Sequence, residues 1–429
     1  MNGVPSPGIV RSAGSLWALF LGMALLMVAH GLQGSLLGVR ADAEGFPSAV
    51  TGLVMASYFL GFLAGARLVT TFLRRVGHVR VFAAMASLAS IAVLVHMLVV
   101  TPWVWVLMRL VSGVAYASLY IVVESWLNDR ADNASRAGLL SIYVIIAFAS
   151  MAGGQLLLNV ADPGTYILFA LVSILISFSL IPILLTASEQ PELRGAEHFG
   201  LRELFSLSPL GTVGALLAGM GRGAFFGMGA VYASQAGFTV AEISLFMLLG
   251  IAGGALFQWP IGRFSDRVDR RWVIVGVAAA AALAAIGLAF IGTPPGWLFF
   301  GVVIVLGGTM LPLYSLFNAH VNDHLAPRQV VAAGSSMIFL QGIGAILGPL
   351  LAGWLMGAFS PVAFLLYVGV MHTAVVVFAL YRLGHAARRQ RRHWRYRPVP
   401  AQSPASVLWG DANDPAVGDA AGSETDRRA

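Results

Sequence analysis

Arg109 and Arg222 each stand inside an apolar run long enough to cross a bilayer. An ionisable side chain at mid-helix in a membrane costs at least ~2.5–3.5 kcal/mol, so each is a candidate functional group by default. The chemistry on offer is attraction of an anionic or carboxylate-bearing solute. At ~1.5 Å per residue, Arg109 lies ~10 Å and Arg222 ~12 Å from the same face of the membrane, and His30 falls in that layer. Three potential cations therefore share one depth. At 100° per residue, Arg109, Tyr116 and Tyr120 lie within ~20° of one line on their helix, with Glu124 ~60° away. Arg109, Arg222, His30, Tyr116 and Tyr120 are the expected substrate-binding set. Glu124, ~22 Å from Arg109 along the helix, His30 and Asp323 are candidates for proton coupling, and Glu124 is also a candidate for a gate pair. Tyr314, Asn318, His320 and Asp323 add polar groups toward the end of a later run. Each has a structural alternative. Arg109 would bond backbone carbonyls and hold its helix in place, and His30 would be a satisfied packing histidine.

Bond-breaking chemistry is not expected. The sequence has no mid-membrane carboxylate pair, no H-E-x-x-H and no Ser/His pair at one depth. Cysteine is absent and all 26 basic residues are arginine, so thiol and Schiff-base chemistry are excluded. No Walker A motif is present, so this chain alone would not be an ATP-driven pump. No cofactor, metal or nucleic acid is expected.

The elements that must position these residues are membrane helices. The chain is 58% hydrophobic and 10% charged, with mean hydropathy +0.82, whereas soluble proteins carry roughly 25% charge. A spanning helix needs ~20 apolar residues. Twelve such runs are present: about 15–38, 48–69, 80–100, 103–127, 138–160, 165–186, 210–234, 240–261, 272–292, 296–319, 331–357 and 361–383. Residues 1–14 are short and polar, and the first run is too long for a signal-peptide core, so it is expected to be span 1. The 49 glycines suit close helix packing in lipid.

Arginine sets the orientation. With both termini cytoplasmic, 23 of 26 arginines lie inside, only Arg40 lies outside, and Arg109 and Arg222 lie within spans. This is a strong positive-inside pattern. Residues 187–208 interrupt the runs and divide them six and six. Shifting the first half by 192 residues places His30-Gly31 on Arg222-Gly223, Gly61 on Gly253 and Arg75-Val76 on Arg267-Val268. An in-order repeat implies two six-helix bundles related by an axis along the membrane normal. The expected divisions are 1–14, a first bundle at 15–186, a central loop at 187–208, a second bundle at 209–384, and a tail at 385–429. The tail opens with the basic cluster RRQRRHWRYR, which would attract anionic lipid headgroups.

The stretch GRFSDRVDRR (262–271) has the pattern G-x-x-x-D-R-x-x-R-R, with Gly262, Asp266, Arg267, Arg270 and Arg271. It resembles the signature loop of the major facilitator superfamily. Arg109 with Gly113, and Gly348-Pro349, resemble two further elements of that superfamily. VVESWLN (122–128), AGGQLL (152–157) and PLYSLFNAHVNDH (312–324) resemble its YcaD-type bacterial permeases. The resemblance covers about residues 15–384. It implies an all-α membrane protein of twelve transmembrane helices in two six-helix bundles, a central cavity lined by spans 1, 4, 7 and 10, and secondary active transport of a small organic solute across the cytoplasmic membrane, with H⁺ as the expected coupling ion and a monomer as the expected state. It also implies that the signature loop latches the halves. In the first half Arg74 stands where the aspartate belongs, so Glu124 or Asp129 is expected to supply a carboxylate to Arg74 or Arg75. A non-transporting receptor or lipid-handling protein on the same scaffold is the alternative. The sequence does not distinguish import from export.

Overall fold

The computed structural model describes residues 16–130, 136–186, 200–292, 295–326 and 329–385. Arg11, Arg194, Arg328, most of the central loop and the basic cluster at 388–397 lie outside the described residues. The first six spans are α1 (Trp17–Ala43), α2 (Ser48–Val76), α3 (His78–Leu98), α4 (Pro102–Arg130), α5 (Arg136–Leu156) and α6 (Ile167–Thr186). A short α7 (Leu201–Leu207) precedes α8 (Pro209–Gln235), α9 (Val240–Ser265), α10 (Arg270–Ile291), α11 (Trp297–Met310), α12 (Leu313–Asn322), α13 (Val330–Ala358) and α14 (Ala363–His385).

Among the described residues eleven spans are long and apolar enough to cross a membrane, α11 with α12 counting as one, and α7 with α8, bent by 116° at their junction, make a twelfth when taken as one span. The seven glycines and Arg222 of α8 lower its hydropathy, which is why it does not qualify by itself. The bend has a local cause. The Ser208 hydroxyl accepts from the Gly211 amide and Pro209 occupies the first helical position, which is where a missing N–H costs nothing. Thr239 and Glu242 form a reciprocal capping box that starts α9, and Asp269 caps α10. The tenth span is broken between α11 and α12 at Leu311-Pro312, where the sequence suggested one continuous run. Proline lacks the N–H that would continue the helix.

Within the first six spans α1 packs on α5 and α6, α2 on α4, and α3 on α4 and α6. In the second six, α8 packs on α13 and α14, α9 on α11, and α10 on α11 and α14. The α2–α4 seam is set by glycine. A Cβ on Gly61 would strike the Leu110 carbonyl, and one on Gly113 would strike the Tyr58 carbonyl. The seam recurs between α9 and α11, where Gly253 faces the Ile304 carbonyl and Gly307 that of Gly250. Such contacts let backbones touch, and dispersion then supplies association that the hydrophobic effect cannot supply in lipid.

The two sets meet through α2 with α13, α5 with α9 and α1 with α8. One end of the bundle, here the basic end, carries the α2–α3 and α9–α10 junctions with Arg74, Arg75, Arg263, Arg267, Arg270 and Arg271. At the opposite end hydrogen bonds cross between the sets. Ser234 donates to Asp42 at 2.5 Å, Gln235 donates to Ser48 at 3.0 Å, and Ser244 donates to the Gln155 carbonyl at 2.6 Å. Gln155 is itself fixed to α1, accepting from Ser35 and donating to the Gly31 carbonyl.

Candidate functional site

The glycine seam between α2 and α4 determines what Arg109 touches. With the backbones in contact at Gly61 and Gly113, the Arg109 guanidinium lies over the Tyr58 ring, 4.3 Å from its centroid. Tyr58 in turn reaches His30 Nδ1 at 3.5 Å. The His30 ring stands edge-on to Tyr116 at 4.9 Å and lies 6.3 Å from Tyr120. Phe62 closes the group against Tyr58 and Tyr120. The residues expected at one depth, Arg109, His30, Tyr116 and Tyr120, are thus brought together. Tyr58 was not anticipated. The signal available was a hydroxyl-bearing ring three residues before Gly61, facing the run that holds Arg109.

Arg222 comes to the same region from the second half. Its guanidinium lies 5.6 Å from the Phe226 ring, within electrostatic reach of Tyr314 and of Tyr58. Tyr58 therefore feels both arginines. Arg109 is 4% exposed and Arg222 8%. Among the described residues neither guanidinium has a hydrogen-bond or ion-pair partner, and Arg109 Nε and Tyr116 Oη are buried with none. The expected structural alternative for Arg109, a bond to helix carbonyls, is not what its side chain does.

Glu124 is fully buried and accepts a 2.7 Å hydrogen bond from Tyr143 of α5. Its expected pairing with Arg74 or Arg75 is corrected: both arginines point outward and are exposed. They follow the last turn of α2 toward the basic end, whereas Glu124 turns to the Tyr143 hydroxyl of α5. The signature loop forms ion pairs inside the second half. Arg270, 3% exposed, donates to Asp266 at 2.9 Å and to Asp323 at 2.7 Å. Arg271 holds Asp269 at 2.9 Å, and Arg267 is exposed. Asp323, expected near the surface, is buried by this pairing, and His320 beside it is buried too. Arg270 with Asp323 is a buried ion pair, extended to the exposed Asp266, and a buried charge is maintained when a partner compensates it. Among the described residues no cluster of His, Asp or Glu could hold a metal ion.

Two buried arginines from different halves thus both act on Tyr58. A profile of the Major Facilitator Superfamily matches residues 19–342 and 212–416. An uncharacterized MFS-type transporter of Enterobacter sp. (strain 638) is 27% identical over 351 residues, covering 80% of this chain and 89% of the relative. An MFS-type transporter YcaD of Escherichia coli (strain K12 / DH10B) is 24% identical over 372 residues, covering 86% and 96%. Among solved structures, a mutant of the nucleoside transporter NupG superposes with TM-score 0.74 at 14% identity, covering 86% of this chain and 99% of that one. A bacterial homolog of the human lysosomal transporter Spinster, inward-facing and occupied, superposes with TM-score 0.70 at 16% identity, covering 89% and 96%. At these identities the structures share the fold with this chain. The helical architecture and the profile match together make this chain a multi-pass transporter of the bacterial inner membrane, and it belongs to the Major Facilitator Superfamily, in the YcaD-type group.

Proposed function

We infer that the chain moves a small organic anion, a carboxylate-bearing solute foremost, by alternating access of two six-helix halves at 15–186 and 209–384, with H⁺ as coupling ion. The observation that carries this reading is the pair of buried guanidinium groups, Arg109 and Arg222, each without a carboxylate or carbonyl partner among the described residues. A buried cation left uncompensated is costly. A site that bears two of them is stabilised when an anion arrives. Tyr58, Tyr116 and His30 supply neutral polar contacts around Arg109. Glu124, held by Tyr143, is the group to which we assign the coupling proton. The basic end, rich in arginine, is assigned to the cytoplasm, with both termini there, and the working unit is a monomer.

The test is ligand-induced thermal stabilisation of the purified protein against carboxylates, phosphorylated metabolites, amino acids and cationic drugs. A ligand at a hundredfold Kd stabilises by ~2.7 kcal/mol. An anion should raise the melting temperature of the native protein, and Arg109→Gln and Arg222→Gln should each lose that rise. Stabilisation by cations or neutral solutes that survives both substitutions would remove the anion reading while leaving the transporter assignment in place.

A further inference from the structure

The repeat that relates the halves continues into the basic end. The shift of 192 residues that places Arg75 on Arg267 also places Gly77 on Asp269 and His78 on Arg270. Two residues further on in register, Gly113 falls on Gly307, Tyr120 on Tyr314 and Asp129 on Asp323. Both α3 and α10 begin at the paired positions, His78 and Arg270. In the second half this pair of positions is the buried Arg270–Asp323 ion pair, 2.7 Å long. In the first half it is His78 and Asp129.

His78 is 2% exposed. Its Nε2 shares a 3.1 Å hydrogen bond with Ser125 Oγ, and its ring lies 5.9 Å from that of Trp126. Its Nδ1 is buried with no hydrogen-bond partner. Asp129 of α4 is exposed, yet within electrostatic reach of the ring. A neutral imidazole satisfies Ser125 with one nitrogen and has no need of a carboxylate. An imidazolium has two donors, and the second requires an acceptor. It would also stand at the N-terminus of α3, where a cation is disfavoured. Arg270 meets the same penalty at the start of α10, and two carboxylates offset it. The first half has only one of the two, because Arg74 occupies the position equivalent to Asp266. A side chain that is charged only on demand suits that deficit.

We propose that His78 is a proton-binding site of the first half: protonation makes its ring the partner of Asp129, so that the first half forms on demand the ion pair that Arg270 and Asp323 hold permanently. Of the elements packed on α3, α2 contributes Arg74 and Arg75, and α4 contributes Asp129 and, turned toward Tyr143, Glu124. Helix α6 contributes no titratable side chain, and α3 itself adds Arg80. The acid is thus outnumbered by fixed cations, and pairing is confined to the acid side of the range in which histidine titrates, about pH 5–8. The pairing with Asp129 is made at the acid end and lost as pH rises, and it offsets part of the cost of charging a buried ring. The site stands at the basic end, apart from the two arginines assigned to substrate, and is proposed without reference to what they bind.

The test is a double-mutant cycle between His78→Gln and Asp129→Asn, read as unfolding of the full chain in lipid nanodiscs at about pH 5.5 and about pH 8. Gln keeps the hydrogen bond to Ser125, and Asp129 is exposed, so both variants are chosen to fold. The expected result is a coupling of at least ~5-fold in the unfolding equilibrium at the acid pH and none at the alkaline pH. His78→Arg should show the coupling to Asp129 at both. Coupling absent at both pH values, or equal at both in the His78 protein, would overturn the proposal. No ligand is used, so the outcome leaves the anion reading where the thermal-shift experiment puts it.

Discussion

Replacing Arg109 by methionine should make the empty transporter more stable. Burial of an arginine at the centre of a membrane helix costs ~2.5–3.5 kcal/mol. The contact with the Tyr58 ring returns ~0.5–2 kcal/mol. No hydrogen bond or carboxylate adds to that return among the described residues. The difference, about 0.5–3 kcal/mol, is stability that the protein forgoes by keeping the charge. Methionine is of similar length, flexible and apolar, and fills the space over Tyr58 without leaving a polar group behind. The assay is thermal unfolding in nanodiscs without ligand, where the gain should appear as a rise of a few degrees, together with loss of any anion-induced shift. A fall in melting temperature would mean that Arg109 is held by the protein for structural reasons, and the argument for an anion at this place would fail with it. Arg222→Met should behave in the same way, with the weaker ring contact at Phe226 giving the larger gain.

Gly113→Ala should destabilise by about 1–3 kcal/mol, because the added carbon meets the Tyr58 carbonyl. Gly34→Ala, with open space at its Cβ, is the matched control, and both are read by thermal unfolding. Arg270→Gln should cost about 3–5 kcal/mol, since Asp323 loses its arginine in a buried place, and Arg271→Gln should cost no more than about 1 kcal/mol, its pair with Asp269 being partly exposed. Equal costs would refute the assignment of the buried ion pair to Arg270. Tyr143→Phe should cost about 1.5–3 kcal/mol by removing the donor to Glu124, and should be additive with Arg74→Gln. Measurable coupling between those two would restore the Glu124–Arg74 pair that the geometry argues against.

The spans were legible because lipid imposes one rule, about 20 apolar residues in a row, and the 192-residue repeat was legible because it needs no gap around Gly61 and Gly253. The layer of Arg109, His30, Tyr116 and Tyr120 could be read because helix depth and angle follow from residue number alone. Partners across helices could not be read so. Tyr58 reaches Arg109 through a backbone approach at Gly113 that no spacing rule on α2 encodes. Glu124 turns to Tyr143 through a single hydrogen bond between α4 and α5, while counting charges near that end pointed to Arg74 and Arg75. The break at Leu311-Pro312 was written in the proline, and the apolar run around it hid the signal.

At the end of the bundle away from the arginine-rich junctions, the bonds from Ser234 to Asp42, from Gln235 to Ser48 and from Ser244 to the Gln155 carbonyl are side-chain hydrogen bonds with no ion pair between them. At about 0.5–1.5 kcal/mol each, this seal holds by roughly 1.5–4.5 kcal/mol, the same range as the ~2.7 kcal/mol that a ligand at a hundredfold Kd contributes. Gln155 keeps its own side-chain bonds to α1 when Ser244 lets go, so the two halves part along a clean surface and neither is left with a torn interior. On the proposed reading, a ligand bound at a hundredfold Kd is a bias of the same size as these three bonds.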